Sequence, residues 1–253
     1  MDKETIARNF SRYANSYDRH ADVQRYAADE LLRQIKGDGF KKILELGCGT
    51  GNYTGLLRNR FIDAKIIAVD ISREMVRVAE EKLKGKNIEF LIRDAEKLDF
   101  KDKFDLISSN AAFQWFEELE NCLLTYKGML EEGGVISFSS FGPQTFVELN
   151  TVLKSVLGNK AIVVDGFMDK EELETILRQN FKSAKVKEIR YKDDFATLKD
   201  LLQKIKCTGT RGNGLNAKVY FNRKILEDLE KAYLKKFNKI IATCQVIFCT
   251  ARC

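Results

Sequence analysis

Apolar residues recur at three- and four-residue spacing through the first part of the chain. Ile6, Phe10, Tyr13 and Tyr17 keep that spacing, and Tyr26, Ala27, Leu31 and Leu32 repeat it. The spacing predicts helical structure over residues 2–36, with a second helix from about Val23 to Ile35 that Gly37 and Gly39 end. From residue 41 the pattern changes. KKILEL, KIIAVDI, IEFLIRDA, FDLISSN and VISFSSF are short apolar runs that predict strands. Between them lie helical patterns: NYTGLLRNRF, REMVRVAEEKLK with Met75, Val78, Ala79 and Leu83 on one face, and a segment near Leu119–Leu130. Such alternation predicts a parallel sheet with helices on both faces. After residue 142 the pattern loosens. Helices are expected near Thr145–Leu157, Lys170–Asn180, Leu198–Lys206 and Arg223–Phe237, and KSAKVKEIRYKD and KIIATCQVIFCT predict two late strands.

Composition narrows the class without naming a function. Charged residues make up 32% and hydrophobic residues 44%, which is globular rather than disordered. No apolar run approaches the 18 residues of a membrane span, and MDKETIARNF lacks the apolar core of a signal peptide, so a cytoplasmic protein is expected. The formal net charge of +6 is mild, and the cations are interspersed with acids, which argues against nucleic-acid binding. None of the six cysteines forms a CxxC pair and His20 is the only histidine, so no metal site is expected. A hydrolytic triad would have to use that one histidine, and no G-x-S-x-G elbow is present.

The strongest chemical signal is Glu45-Leu46-Gly47-Cys48-Gly49-Thr50-Gly51, between a strand and a helix. Glycines there permit a tight turn and let a ligand approach the backbone. The spacing is G-x-G-x-G rather than the dinucleotide G-x-G-x-x-G, and Glu45 is an awkward neighbour for a diphosphate. An acid beside the loop suits a ligand carrying an ammonium group. Asp70, followed by Ile71, closes the second strand 19 residues after Gly51, where an acid accepts hydrogen bonds from a ribose diol. Capping of the next helix by Asp70 or Ser72 is the competing role. Asp94 and Ala95 follow the third strand, where a polar group can hold an adenine amine. Asn110, Phe113, Gln114 and Trp115 follow the fourth, where ligands of open α/β sheets bind. Aromatic residues are more often core than pocket, and Phe113 and Trp115 are open to that reading.

Together these residues resemble the class I methyltransferases that use S-adenosyl-L-methionine, over about residues 41–140. In that resemblance ELGCGTG is the cofactor loop, Asp70 the ribose acid, and Asp94 with Ala95 the adenine contact. FSRYANSYDRHADVQRYAADELL, SNAAFQWFEEL, SFSSFGPQTFVEL and IKCTGTRG further resemble the malonyl-[acyl-carrier protein] O-methyltransferases of biotin synthesis. That family ends in a TYxVxxG strand, whereas this chain has Thr243-Cys244-Gln245-Val246 and then Cys249.

The resemblance implies a Rossmann-like α/β fold with a seven-stranded, mostly parallel sheet and helices on both faces. One methyltransferase domain, 1–253, is expected to comprise an N-terminal helical cap (1–36), a cofactor-binding core (41–141), and lid helices with closing strands (142–253). It further implies methyl transfer to the free carboxylate of a malonyl thioester, with Tyr17 and Arg211 as candidates to hold that carboxylate. His20 and Gln24 are expected to line the substrate channel with Phe113, Gln114 and Trp115. If the N-terminal helix is continuous, Tyr17, His20 and Gln24 share one face, and removing residues 1–30 is expected to spare the sheet. The expected partner is an acidic acyl-carrier protein, steered by Lys182, Lys185, Lys187, Arg190 and Lys192. Two rivals stand beside this reading: a methyltransferase for another small carboxylic acid or a quinone, and a non-catalytic cofactor- or RNA-binding protein.

Overall fold

The computed structural model describes residues 2–158, 164, 166–208 and 222–253. Seven strands form one sheet in the order β3-β2-β1-β4-β5-β7-β6. These are β1 (Lys42–Leu46), β2 (Lys65–Asp70), β3 (Ile88–Ile92), β4 (Phe104–Asn110), β5 (Leu130–Phe141), β6 (Ser183–Phe195) and β7 (Ile240–Arg252). The first five run parallel, and β7 pairs antiparallel with both β5 and β6. The expected elements are present at nearly the expected bounds. The largest difference is β5, which begins at Leu130 rather than Val135.

Adjacent strand residues face opposite sides, so each central strand feeds two cores. Ile43, Ile66, Leu106 and Phe248 pack on one side, against α2 (Asp22–Gln34), α3 (Asn52–Arg60), α6 (Val147–Leu157), α8 (Leu198–Cys207) and α9 (Arg223–Phe237). Leu44, Ile67, Ile107 and Ile247 pack on the other, against α5 (Leu119–Met129) and α7 (Lys170–Asn180). Among the described residues no helix is long and apolar enough to cross a membrane.

The N-terminal segment is not one helix. It divides into α1 (Lys3–Tyr13), a tight 3-10 turn over Ala14–Arg19, and α2. Tyr17, in the turn, and Gln24, in α2, therefore share no helical face, and His20 stands at the break. Nor is the whole segment a detachable cap. Val23, Ala27, Ala28 and Leu31 of α2 are at most 4% exposed within the core, so a truncation through residue 30 removes core packing.

The five cations expected to form one docking face are also divided, because β6 is pleated. Ile189 and Tyr191 pack towards the first core, and Ala184 and Val186 towards the second. By the same alternation Lys185 and Lys187 lie on the first side, and Arg190 and Lys192 on the second. Lys187 is paired with Glu30, and Arg190 with Glu188.

Candidate active site

The glycine loop leaves β1 and turns sharply under the carboxyl end of β2. The amides of Gly47 and Cys48 both donate to the Val69 carbonyl, at 2.8 and 3.0 Å. Gly47 has φ +73°, and a Cβ there would overlap the Cβ of Ala112, in the loop after β4. Gly49 has φ +53°, but a Cβ on it would meet no protein atom within 4 Å. The space above Gly49 is the floor of a cavity at the carboxyl ends of the parallel strands.

Gly47, Gly49, Asp70 and Ile71 line its floor, with Asp94 and Ala95 to one side and Asn110 and Trp115 to another. Tyr17 and three α1 residues, Lys3, Ile6 and Phe10, line it from the N-terminal segment. The Asp70 carboxylate accepts the Gly49 amide at 2.8 Å through one oxygen and the Ser72 amide at 2.8 Å through the other. It therefore fixes the loop while bordering the cavity. The helix after β2, α4 (Arg73–Lys82), is capped by Ser72, whose hydroxyl accepts the Met75 amide at 3.2 Å. Of the two competing caps, Ser72 takes the position, leaving the remaining lone pairs of Asp70 for a ligand.

Asn110 uses its amide to hold walls together. Its Nδ2 donates to the Gln24 carbonyl at 3.0 Å, and its Oδ1 accepts the Ser139 hydroxyl at 2.8 Å. Ala111, next in the chain, has φ +54°, an uncommon conformation for a residue with a Cβ. Its amide donates to the Ser139 carbonyl and hydroxyl, both at 3.0 Å, which holds it there.

The 3-10 turn is tied to the loop through Asp18. This carboxylate accepts from Thr50 at 2.6 Å, Asn52 at 2.9 Å and Lys82 at 2.6 Å, and these partners hold its pKa below the usual value against the effect of burial. Tyr17 is thereby placed against the cavity. Burial, with the Asp70 and Asp18 charges, pushes its hydroxyl well above the ordinary phenol range. At neutral pH it is a hydrogen-bond donor.

Several expected site residues lie elsewhere. Glu45 does not reach the cavity. It is 1% exposed beneath the loop, and its Oε2 and the Thr54 hydroxyl are both buried without a hydrogen-bond partner. Burial, the largest effect, pushes the Glu45 carboxyl up to about 8, and the Asp70 charge adds to the rise. Gly51 does not line the cavity either. It begins α3, where a Cβ would lie 3.0 Å from that of Ala79. Phe113 is core, 1% exposed among Phe116, Tyr126 and Phe138. Gln114 pins its own loop by donating to the Ala111 carbonyl at 2.6 Å. His20 borders neither this cavity nor the second one described below, and Gln24 borders only the second. Arg211 lies outside the described residues.

The raised Glu45 pKa has a consequence for stability. Its proton is bound in the folded state up to about pH 8 and lost near pH 4.5 in the unfolded chain. Between those values the folded state binds more protons, so stability falls as pH rises through the window. Glu45→Gln should flatten this dependence and raise the melting temperature relative to wild type most at pH 8. Parallel melting curves from pH 5 to 8 would show the carboxyl to be ionised in place.

Lys3, Ile6 and Phe10 are among the lining residues that sequence reasoning missed, with Met75 and Phe116. Lys3 Nζ lies 2.8 Å from both Asp94 oxygens and 2.9 Å from Glu96 Oε1, drawing α1 down over the site. The periodicity of Ile6 and Phe10 announced an apolar face without saying what it covers. The acids Asp94 and Glu96, two apart in a loop and needing a cation, were the one available signal.

The site fits S-adenosyl-L-methionine by two features: the bare backbone at Gly49, which a Cβ would replace with bulk, and the half-buried Asp70 carboxylate that borders the cavity with lone pairs to spare. Comparisons with known proteins agree. The methyltransferase-domain family matches residues 38–188. Malonyl-[acyl-carrier protein] O-methyltransferase 2 of Ilyobacter polytropus is 35% identical over 239 residues, covering 94% of this chain and 92% of that protein. Malonyl-[acyl-carrier protein] O-methyltransferase of Paenibacillus sp. is also 35% identical, covering 95% of each. In fold the chain is similar to the YcgJ protein of Bacillus subtilis, with a TM-score of 0.64 at 15% identity over 90% of this chain and 97% of that one. It is also similar to the N-methyltransferase NodS of Bradyrhizobium japonicum, with a TM-score of 0.57 at 15% identity over 98% of both chains. The chain belongs to the malonyl-[acyl-carrier protein] O-methyltransferase family, within the class I methyltransferases that depend on S-adenosyl-L-methionine.

Proposed function

We propose that this protein methylates the free carboxylate of a malonyl group held as a thioester on an acyl-carrier protein, in the cytoplasm. The observation that carries the reading is the cavity over Gly49 and Asp70, roofed by α1, in a chain 35% identical to two proteins of that name. S-adenosyl-L-methionine, when bound, supplies an electrophilic methyl group on a sulfonium centre. Gly47, Gly49, Asp70 and Ile71 would hold it from below, with Asp94, Ala95 and Asn110 at the sides. The acceptor carboxylate is already ionised at neutral pH, so no residue need take a proton from it. That accords with a site whose half-buried Asp70 carboxylate is engaged with backbone amides.

The work left to the protein is orientation and exclusion of water. Ile6, Phe10, Trp115 and Phe116 supply apolar walls. Opposite charges cancel during the transfer, and such walls disfavour the separated charges more than the less polar transition state. Tyr17, held protonated, can donate to an acceptor oxygen. The test is to incubate the protein with methyl-labelled cofactor and a panel of acyl thioesters. A base-labile methyl ester is expected on malonyl-carrier protein and none on the acetyl form. Methyl transfer to a small free acid or a quinone, with malonyl thioesters inert, would overturn the assignment.

A further inference from the structure

A second cavity lies beside the first at the carboxyl end of β5. Two contacts form the partition. Asn110 lines the first cavity and donates to the backbone of Gln24, which lines the second. Trp115 lines the first and meets Phe167, which lines the second, edge-on at a centroid separation of 5.5 Å. Phe141, Phe146, Phe167 and Phe195 give the second cavity aromatic walls, and Lys204 is the one cation among its described lining residues.

Lys204 is held in a fixed place. Its Nζ lies 2.9 Å from an oxygen of Asp22, on α2, and 2.5 Å from one of Asp193, on β6. Asp22 is paired in addition with Arg25, so the four charges cancel. An ammonium carries three donors, and the two acids occupy two of them. Both acids and both hydrogen bonds favour the charged form and raise the Lys204 pKa against the effect of burial. Such a group orients an anion through its remaining donor without a large excess of positive charge. An acceptor carboxylate that must stay nucleophilic requires that balance, because a strong counter-charge stabilises the ground state more than the transition state.

We propose that the second cavity receives the acyl thioester of the methyl acceptor, and that Lys204 is a specificity-determining residue that donates to an oxygen of the acceptor's carboxylate across the Asn110–Gln24 partition. The inference rests on the malonyl-thioester reading above. It assigns the cationic part expected of Arg211 to a different residue, on α8. It also makes a carboxylated acyl group the ligand class, in preference to the same thioester without the carboxylate.

The test uses the full chain saturated with S-adenosyl-L-homocysteine and follows binding of malonyl-coenzyme A against acetyl-coenzyme A by calorimetry, alongside steady-state methylation. Lys204→Gln should raise KM for the malonyl thioester about tenfold or more, as expected for loss of a charge-assisted hydrogen bond. It should leave the affinity for S-adenosyl-L-homocysteine unchanged and erase the preference for malonyl over acetyl in binding. Lys204→Arg should restore most of that preference. Ala242→Leu adds bulk to the same cavity from β7, where Ala242 is 1% exposed opposite Asp193, without removing any charge of the ion pairs. It should raise KM while the cofactor-product affinity holds, which guards against misreading a loosened α8 in the lysine variant. If malonyl thioesters are methylated by wild type but KM and the malonyl preference survive in all three variants, the second cavity is not the acceptor site. If wild type neither binds nor methylates malonyl thioesters, the proposed function fails and this inference with it. A loss of S-adenosyl-L-homocysteine affinity equal to the loss of malonyl affinity would also overturn it, since it would show a structural role.

Discussion

Gly49→Leu should give a folded protein that no longer binds the cofactor. The residue sits at φ +53°, so a side chain there costs about 1–2 kcal/mol of backbone strain. Nothing in the protein lies within 4 Å of the new Cβ, so no packing is broken. The leucine instead fills the floor of the cavity that the bare backbone leaves open. Binding of S-adenosyl-L-homocysteine, followed by calorimetry, should weaken by at least roughly 100-fold, about 2.7 kcal/mol, while the melting temperature shifts by only a few degrees. Gly47→Ala provides the contrast, because its Cβ collides with Ala112 and its cost falls on the fold itself. Near wild-type affinity in folded Gly49→Leu would mean that the ligand does not lie on this loop.

Removing α1 should have nearly as large an effect by a different route. Deletion of residues 1–13 takes away Ile6 and Phe10 from the cavity and the Lys3 cation from Asp94 and Glu96. Ile6 is the only buried residue of α1, so the sheet and both cores should survive. A ligand enclosed by two apolar side chains loses about 1.5–3 kcal/mol for each one withdrawn, less whatever water recovers. Affinity should fall about 10- to 100-fold or more, with a faster off-rate. Extending the deletion through Gln34 should abolish folding, because it removes Val23, Ala27, Ala28 and Leu31. An unchanged Kd in the shorter truncation, measured with cooperative melting intact, would reduce α1 to a surface ornament of the fold.

Much of this molecule could be read from local chemistry. The glycine loop was legible because positive φ and close approach are demands placed on particular residues, and only glycine meets them cheaply. The strands were legible because each buried run is short and ends at a turn. What could not be read was what faces what. Glu45 stands next to the loop in sequence, yet its strand position turns it beneath the loop, towards Thr54, and away from the ligand. Phe113 and Trp115 are two residues apart in one short 3-10 turn, and one is core while the other is cavity wall. Ile6 and Phe10 declared an apolar face, but periodicity gives no information about the surface that receives it. Lys204 had no local mark at all, since its two acids come from α2 and β6.

The sheet order carries a consequence for how the chain reaches its native state. β6 has one neighbour, β7, and that strand follows it only after α8 and α9. During folding, then, a thirteen-residue strand must wait with both edges open, and the neighbouring edge of β5 waits with it. Exposed edges of that length recruit other chains. The lysines and arginine distributed over both sides of β6 act here as gatekeepers, since their like charges oppose stacking of one unfinished sheet on another. They retain that use whether or not any partner docks on the finished protein. Closure by β7 is a long-range event of high contact order, expected late and slow. Neutralising Lys185, Lys187, Arg190 and Lys192 should therefore lower the yield of refolding at high protein concentration before it lowers the stability of the native state.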